Sequence, residues 1–300
     1  MATDKRKIRS GIMAGIIAAS IWGGMYVVSD WVLDVIAPFT LLTFRLLLGV
    51  VALGFWRAGK EKPKLDPSQI TKFLAIGALG YGLSLGFQFQ GTLLSTAATG
   101  AIVTSATPAF VFLFAAVLYK EEIRRKRWIA LILSSLGILL VLDLKSTSME
   151  IDHMQGTLFL VAAALTWALF SVLVSKATRN MDALSFTFIA LQGGFIVSLP
   201  GAYWELANEP LGSISFPILL GILYLGLVAT AVAFYLWNKA FELLDPGMAS
   251  LTFFAQPLVG TGLAALFLRE KFSPSFVIGG LLIFLGIYLA ASSERNTKTN

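Results

Sequence analysis

The sequence predicts an all-α polytopic membrane protein, with ten transmembrane helices arranged as two inverted five-helix repeats. Three observations lead there. The 300 residues are 57% hydrophobic and only 13% charged, against roughly 25% charged in soluble domains. The apolar residues fall into ten runs, each near the length of about 20 residues that a bilayer crossing needs. Several residues of the first half recur in the second at a fixed offset.

The ten runs are 11–28, 38–56, 70–89, 96–119, 127–142, 156–175, 184–203, 216–241, 248–268 and 274–291. The first, standing alone, has the length of a signal peptide. It lacks a small-residue cleavage site and nine similar runs come after it, so it is read as a span. The charges lie almost entirely between the runs. With the amino terminus inside and the helices alternating, nineteen of the 23 Lys and Arg residues fall on the inner side. Only Lys145, Arg269 and Lys271 fall outside. The positive-inside rule then places both termini in the cytoplasm, in a multi-pass protein of the cytoplasmic membrane. The same placement accounts for the net charge of +6, which needs no nucleic-acid partner when the cations lie beside an anionic leaflet.

The polar stretch 144–150 divides the chain into a first half, 1–148, and a second, 149–300. Pro108, Glu121 and Gly137 return as Pro257, Glu270 and Gly286, always 149 residues later. Trp22 and Trp167, each in the middle of the first span of its half, correspond at an offset of 145. Five spans per half is an odd number, so the second half enters the membrane upside down relative to the first. Inverted repeats of this kind suit alternating access in secondary transporters, and they also occur in channels.

Composition removes several chemistries. There is no cysteine and a single histidine, His153, which makes thiolate metal sites, histidine clusters and histidine-dependent triads untenable. No cofactor is implied. No Asp or Glu lies deep in a run, which disfavours a buried carboxylate proton relay. Arg45 is the one charge well inside a run, and it is read as structural, reaching backbone carbonyls or snorkelling, rather than as a carboxylate binder. Glu121 and Glu270 are read as helix-end hydrogen bonders.

Polar and aromatic residues form stripes at helical spacing. Trp22, Tyr26 and Ser29 share a face of the first run, and Trp167, Ser171 and Ser175 share one of the sixth. Tyr81, Ser84 and Gln88 do so in the third, and Thr230, Phe234 and Trp237 in the eighth. Such groups face protein or water rather than lipid. They predict a cavity lined by Trp22, Tyr26, Tyr81, Ser84, Gln88, Trp167, Ser171, Thr230, Phe234, Trp237 and Gln256, able to stack on and hydrogen-bond a small amphiphile. Pro108 and Pro257 mark kinks, with Thr107 and Gln256 beside them at the opened backbone. Trp56 and Trp204, near run ends, are read as interfacial anchors. Gly11 with Gly15 and Gly82 with Gly86 have the spacing that lets helices approach closely.

These residues resemble the drug/metabolite transporter superfamily, and within it proteins with two EamA domains. The first half carries the resemblance in Ala18-Ala19-Ser20-Ile21-Trp22-Gly23, Leu42-Thr43-Phe44-Arg45-Leu46 and Ala106-Thr107-Pro108 leading to Tyr119-Lys120-Glu121-Glu122. The second carries it in Leu165-Thr166-Trp167, Ala255-Gln256-Pro257 and Leu268-Arg269-Glu270. It covers nearly the whole chain. The second half departs from it in having no counterpart of Arg45: the aligned stretch reads Phe186-Thr187-Phe188-Ile189. The resemblance implies a central cavity lined by the first, third, fourth, sixth, eighth and ninth helices, and export or exchange of amino acids, metabolites or drugs.

The reading is therefore a carrier, not an enzyme. Its partners are a small-molecule solute and the lipid bilayer, and monomer and homodimer are both left open. A lipid-modifying membrane enzyme, a channel and an accessory membrane protein are the competing readings. An enzyme would call for His, Cys or clustered acids at the interface, and the single candidate, Glu121-Glu122, sits in a basic run that topology already explains.

Overall fold

The computed structural model describes residues 2–60, 63, 65–119, 125–141, 151–179, 181–208, 211–270 and 272–295, and among these there is helix and no strand. The helices are α1 (Ala2–Leu33), α2 (Pro38–Arg57), α3 (Pro67–Leu93), α4 (Ala97–Tyr119), α5 (Arg125–Val141), α6 (Ile151–Ala177), α7 (Ala183–Asn208), α8 (Phe216–Leu243), α9 (Pro246–Leu268) and α10 (Pro274–Arg295). Eight of them, α1–α4 and α6–α9, are long and apolar enough to cross a membrane among the described residues. The protein is thus a multi-pass membrane protein. Its exposed surface fits that medium: Trp31, Phe55, Val117, Tyr203, Leu258 and Leu266 all stand open, an apolar exterior that water would not tolerate on this scale.

The helix starts follow local chemistry. Proline occupies the first turn of α2, α3, α8 and α9, where its missing N–H costs nothing. The Thr96 hydroxyl accepts the Thr99 N–H at the start of α4. Inside the helices, hydroxyls that would otherwise face hydrocarbon bond back one turn, as Thr104 does to Gly100, Ser171 to Trp167 and Thr187 to Ala183.

Four helices are irregular. α3 widens into a π-helical stretch over Ala78–Ser84, and α8 does the same over Tyr224–Val232. α4 is broken just before Thr107-Pro108, and α9 tightens over Thr252–Phe254, just before Ala255-Gln256-Pro257. Pro108 and Pro257 each lack the N–H that would otherwise join the helical ladder. α9 also ends in a second π-helical turn, Ala264–Leu268, closed by Arg269 in the left-handed conformation.

α1 packs on α8 and α9, and α6 packs on α3 and α4. α2 packs on α7 and α8, and α3 on α7. α4 meets α9, and α5 lies along α10 beside them. Small residues make the closest approaches. Gly77 sits directly against the backbone of Ala190, where an added Cβ would lie 1.8 Å from the carbonyl oxygen. Gly193 meets the Leu74 carbonyl oxygen in the same way, at 1.9 Å. The α3–α7 seam is therefore backbone on backbone. Gly15 gives α1 its contact with Thr252 of α9, and Gly82 gives α3 its contact with Val197 of α7, as the small-residue spacing predicts.

One acid was not singled out by sequence. Glu205, buried near the end of α7, accepts the N–H groups of Phe39 and Thr40 at 2.9 and 2.7 Å and the Thr40 hydroxyl at 2.9 Å. It caps the start of α2 from across the molecule.

Gly77→Ala and Gly193→Ala should each force α3 away from α7 and sharply reduce monodisperse protein in size-exclusion chromatography. Gly262→Ala, where nothing lies within 4 Å of the added Cβ, should leave the elution profile and Tm intact or improved. Equal behaviour of the three variants would contradict the packing described.

Candidate solute-binding site

The centre of the bundle is aromatic. The Trp22 ring lies 5.5 Å from Trp167, edge to face, 5.5 Å from Phe234, 5.3 Å from Trp237 and 6.0 Å from Phe253. Tyr81 stacks on the far face of this group, 4.4 Å from Phe234. Offset and edge-on contacts of this kind add about 0.5–1.5 kcal/mol per pair beyond area burial.

Beside the rings lies a polar cluster. The Thr104 hydroxyl gives its proton to the Gly100 carbonyl at 2.6 Å. It therefore accepts from both the Tyr26 hydroxyl at 2.7 Å and Gln256 Nε2 at 2.8 Å. Gly100 permits this, since any side chain there would strike the Tyr26 ring.

Rings and cluster enclose a small cavity of about 20 Å³, room for about one water molecule. Of the residues predicted to line it, Trp22, Tyr26, Ser84, Gln88, Trp167, Phe234 and Gln256 do so. Four do not. Ser171 turns back on its own helix. Thr230 is engaged by Arg45. Tyr81 lies behind Phe234, its hydroxyl accepting from Asn238 at 2.7 Å. Trp237 is fully buried behind Trp22. Met25, Leu85, Thr104 and Phe253 line the cavity without having been predicted to. Met25 lies three residues after Trp22, Thr104 three before Thr107 and Phe253 three before Gln256, so a step of i±3 from residues already singled out would have found them. Thr107, placed by sequence at the opened backbone, also lines it.

A second, wider cavity of about 390 Å³ lies where α6 and α8 end and α9 begins. Ile8, Ser175, Thr178, Arg179, Phe241 and Met248 border it. Trp237 contacts a lining residue of each space. It touches Phe241 of the wide cavity at 4.9 Å and Phe253 of the small one at 5.2 Å.

Arg45 is fully buried. Its Nε donates to Thr230 Oγ1 at 2.8 Å, Nη2 to the Ala229 carbonyl at 3.2 Å and Nη1 to the Met25 sulfur at 3.3 Å. Phe89 and Phe234 flank its guanidinium at 5.2 and 5.5 Å. The π-helical stretch of α8 makes this arrangement available. Thr230 bonds five residues back to Leu225, and the Ala229 carbonyl is free to accept Trp22 Nε1 at 2.9 Å as well as Arg45. Such widened turns recur at functional sites. The bonds reach a backbone carbonyl, as the structural reading of Arg45 expects, and among the described residues they all go to neutral acceptors.

Glu270 accepts from the Ala98 N–H at 3.3 Å, at the start of α4, the helix-end role expected of it. Burial there holds its carboxyl above the usual carboxylate range. Glu121 lies outside the described residues. Trp56 and Trp204 are exposed near helix ends, as anchors are, and Trp56 also packs on Tyr235 at 4.7 Å. Among the described residues no group of His, Asp and Glu could hold a metal ion.

A bundle of membrane-length helices around an aromatic and neutral-polar cavity is the architecture of a multi-pass membrane protein. The chain belongs to the EamA-like transporter family, whose pattern matches residues 9–143 and again 154–292. It is 26% identical over 276 residues to protein PecM of Dickeya dadantii, covering 91% of this chain and 89% of that protein. It is 24% identical to a probable amino-acid metabolite efflux pump of Salmonella typhimurium, covering 97% of each. An uncharacterized transporter of Archaeoglobus fulgidus is 25% identical over 91% of this chain and 94% of its own length. One crystal structure superposes with a TM-score of 0.70 at 19% identity, covering 96% of this chain and 99% of the other, and so shares the fold.

Arg45→Gln should lose the bonds to Thr230 and Ala229 and lower Tm by several degrees. Arg45→Lys should restore little, because an ammonium lacks the fork that reaches Thr230, Ala229 and Met25 together. A Lys variant with native Tm would overturn this account.

Proposed function

We propose that the protein is a secondary carrier that exports or exchanges a small metabolite by alternating access across the cytoplasmic membrane. An amino acid, especially an aromatic one, or a drug-like amphiphile fits the cavity chemistry. The carrying observation is the packing pattern. Exchange α1 with α6, α2 with α7, α3 with α8, α4 with α9 and α5 with α10, and every helix pairing named above maps onto itself or onto another of them. The irregularities map too: α3 and α8 carry the π-helical stretches, and α4 and α9 are disturbed at corresponding places before Pro108 and Pro257. The family pattern matching twice, at residues 9–143 and 154–292, supports a repeat.

On this reading α5 and α10 complete ten spans, the halves 1–148 and 149–300 are inverted repeats, and both termini lie in the cytoplasm. Loop charge then places the 390 Å³ cavity on the cytoplasmic side, with the Trp22–Trp167–Trp237 group as the barrier between it and the solute site. Exchanging the conformations of two such halves would open the opposite side. The name of the Salmonella relative supports efflux as the direction.

Purified protein in liposomes should give saturable uptake and counterflow of labelled neutral or aromatic amino acids. Flux that fails to saturate with any solute of a broad panel would exclude a carrier. Tyr26→Phe and Gln256→Leu each remove one polar group of the cluster while leaving the rings in place. Each should cut initial transport rates about tenfold, the effect of one lost hydrogen bond, at unchanged amounts of folded protein. Wild-type rates in both would remove the cluster from the site.

A further inference from the structure

Trp22 and Trp167 hold corresponding positions in the two halves, and the structure treats their indoles differently. Trp22 Nε1 is satisfied by the Ala229 carbonyl that the α8 π-helical stretch presents. Trp167 Nε1 is buried with no partner, although its ring borders the cavity. Thr107 Oγ1, on the same cavity, is likewise buried without a partner. An orphaned buried donor is destabilising, and two on one small cavity ask for a common acceptor.

The charge around the cavity says what kind. Arg45 stands one side chain behind the wall, and Met25 is that side chain. The Met25 sulfur takes the Arg45 Nη1 bond at 3.3 Å while its own residue lines the cavity. A thioether is a weak acceptor on a flexible chain, so it is readily displaced by an anionic oxygen. Among the described residues no acid lines the cavity, and the cation's bonds end on neutral atoms. In a low-dielectric interior an uncompensated cation raises the affinity for an anion nearby.

We infer that the cavity recognises the carboxylate of its solute. Trp167 Nε1–H and Thr107 Oγ1–H donate to the carboxylate oxygens, and Arg45 supplies the field from behind Met25. The apolar body of the solute lies against Trp22, Phe234 and Phe253. This deepens the carrier reading and rests on it: it assigns the solute class as an organic carboxylate, zwitterionic amino acids included, and it gives the two corresponding tryptophans different tasks.

The test uses three probes with one body and different heads: 3-phenylpropanoate, 3-phenylpropanamide and 2-phenylethylammonium. Each is titrated as a competitor of counterflow in proteoliposomes, with the solute that gives the strongest saturable flux as tracer. The carboxylate should compete at least tenfold more tightly than the amide, and the ammonium should be weakest. Trp167→Phe keeps a ring and removes the N–H; Thr107→Val keeps the shape and removes the hydroxyl. Each should bring the carboxylate-to-amide ratio down by about tenfold. If Trp167→Phe fails to fold, Thr107→Val carries the same comparison. A ratio near one in the wild-type protein, an unchanged ratio in the folded variants, or a tracer that lacks an anionic oxygen would overturn the inference while leaving the carrier standing. If no solute gives saturable flux, the carrier reading and this inference fall together.

Discussion

The buried guanidinium of Arg45 organises the centre of this protein. A cation at such depth costs several kcal/mol unless it is hydrogen-bonded. The α8 backbone meets that demand by widening, so that Thr230 and the Ala229 carbonyl face α2. The same carbonyl fixes the Trp22 indole, and Trp22 is the ring that Trp167, Trp237, Phe234 and Phe253 surround. One charge thus ties α1, α2 and α8 together and sets the position of the aromatic centre.

The second half solves the corresponding problem without a charge. Where α2 meets α8 through Arg45, α7 meets α3 through Gly193, Gly194 and Gly77, with backbones in direct contact. α3 keeps its π-helical stretch, but the polar groups there are met by neutral partners: Ser84 donates to the Ala163 carbonyl at 2.9 Å, and Asn238 to the Tyr81 hydroxyl. The pairing of helices is common to both halves while the chemistry is not. This asymmetry gives the cavity a positive side, and it leaves Trp167 without the acceptor that Trp22 has.

The all-helical, multi-pass organisation was legible in the sequence because its signal is long: apolar runs of bilayer length. The cavity was legible in part, and its errors have a physical source. A stripe argument assumes 3.6 residues per turn. In α3 Ser84, at the end of the widened stretch, and Gln88, beyond it, line the cavity as predicted, whereas Tyr81 inside the stretch turns behind Phe234. In α8, Thr230 lies inside the stretch and faces Arg45, and Phe234 just beyond it reaches the cavity. A π-helical turn inserts one residue into the period and rotates the rest of the helix about its axis, and no single residue type announces it. Ser171 fails differently: its position is right, but its hydroxyl bonds its own helix. Arg45 was visible as a cation, yet its neutral partners lie about 185 residues away in sequence, beyond any local pattern.

The tightness of the centre bears on how a carrier of this design would work. About 20 Å³ admits a water but no metabolite, so solute binding must separate rings that are now in contact. The parts able to move are the ones already irregular: α4 and α9 are disturbed just before Pro108 and Pro257, and Thr107 and Gln256 stand at those points on the cavity wall. Phe253, within the tightened turn of α9, touches both Trp22 and Trp237. A shift of α9 at that turn would loosen the contact of Phe253 with the barrier and move Gln256 within the polar cluster in one motion. Coupling of this kind makes solute contact and barrier opening the same event, which is what alternating access requires.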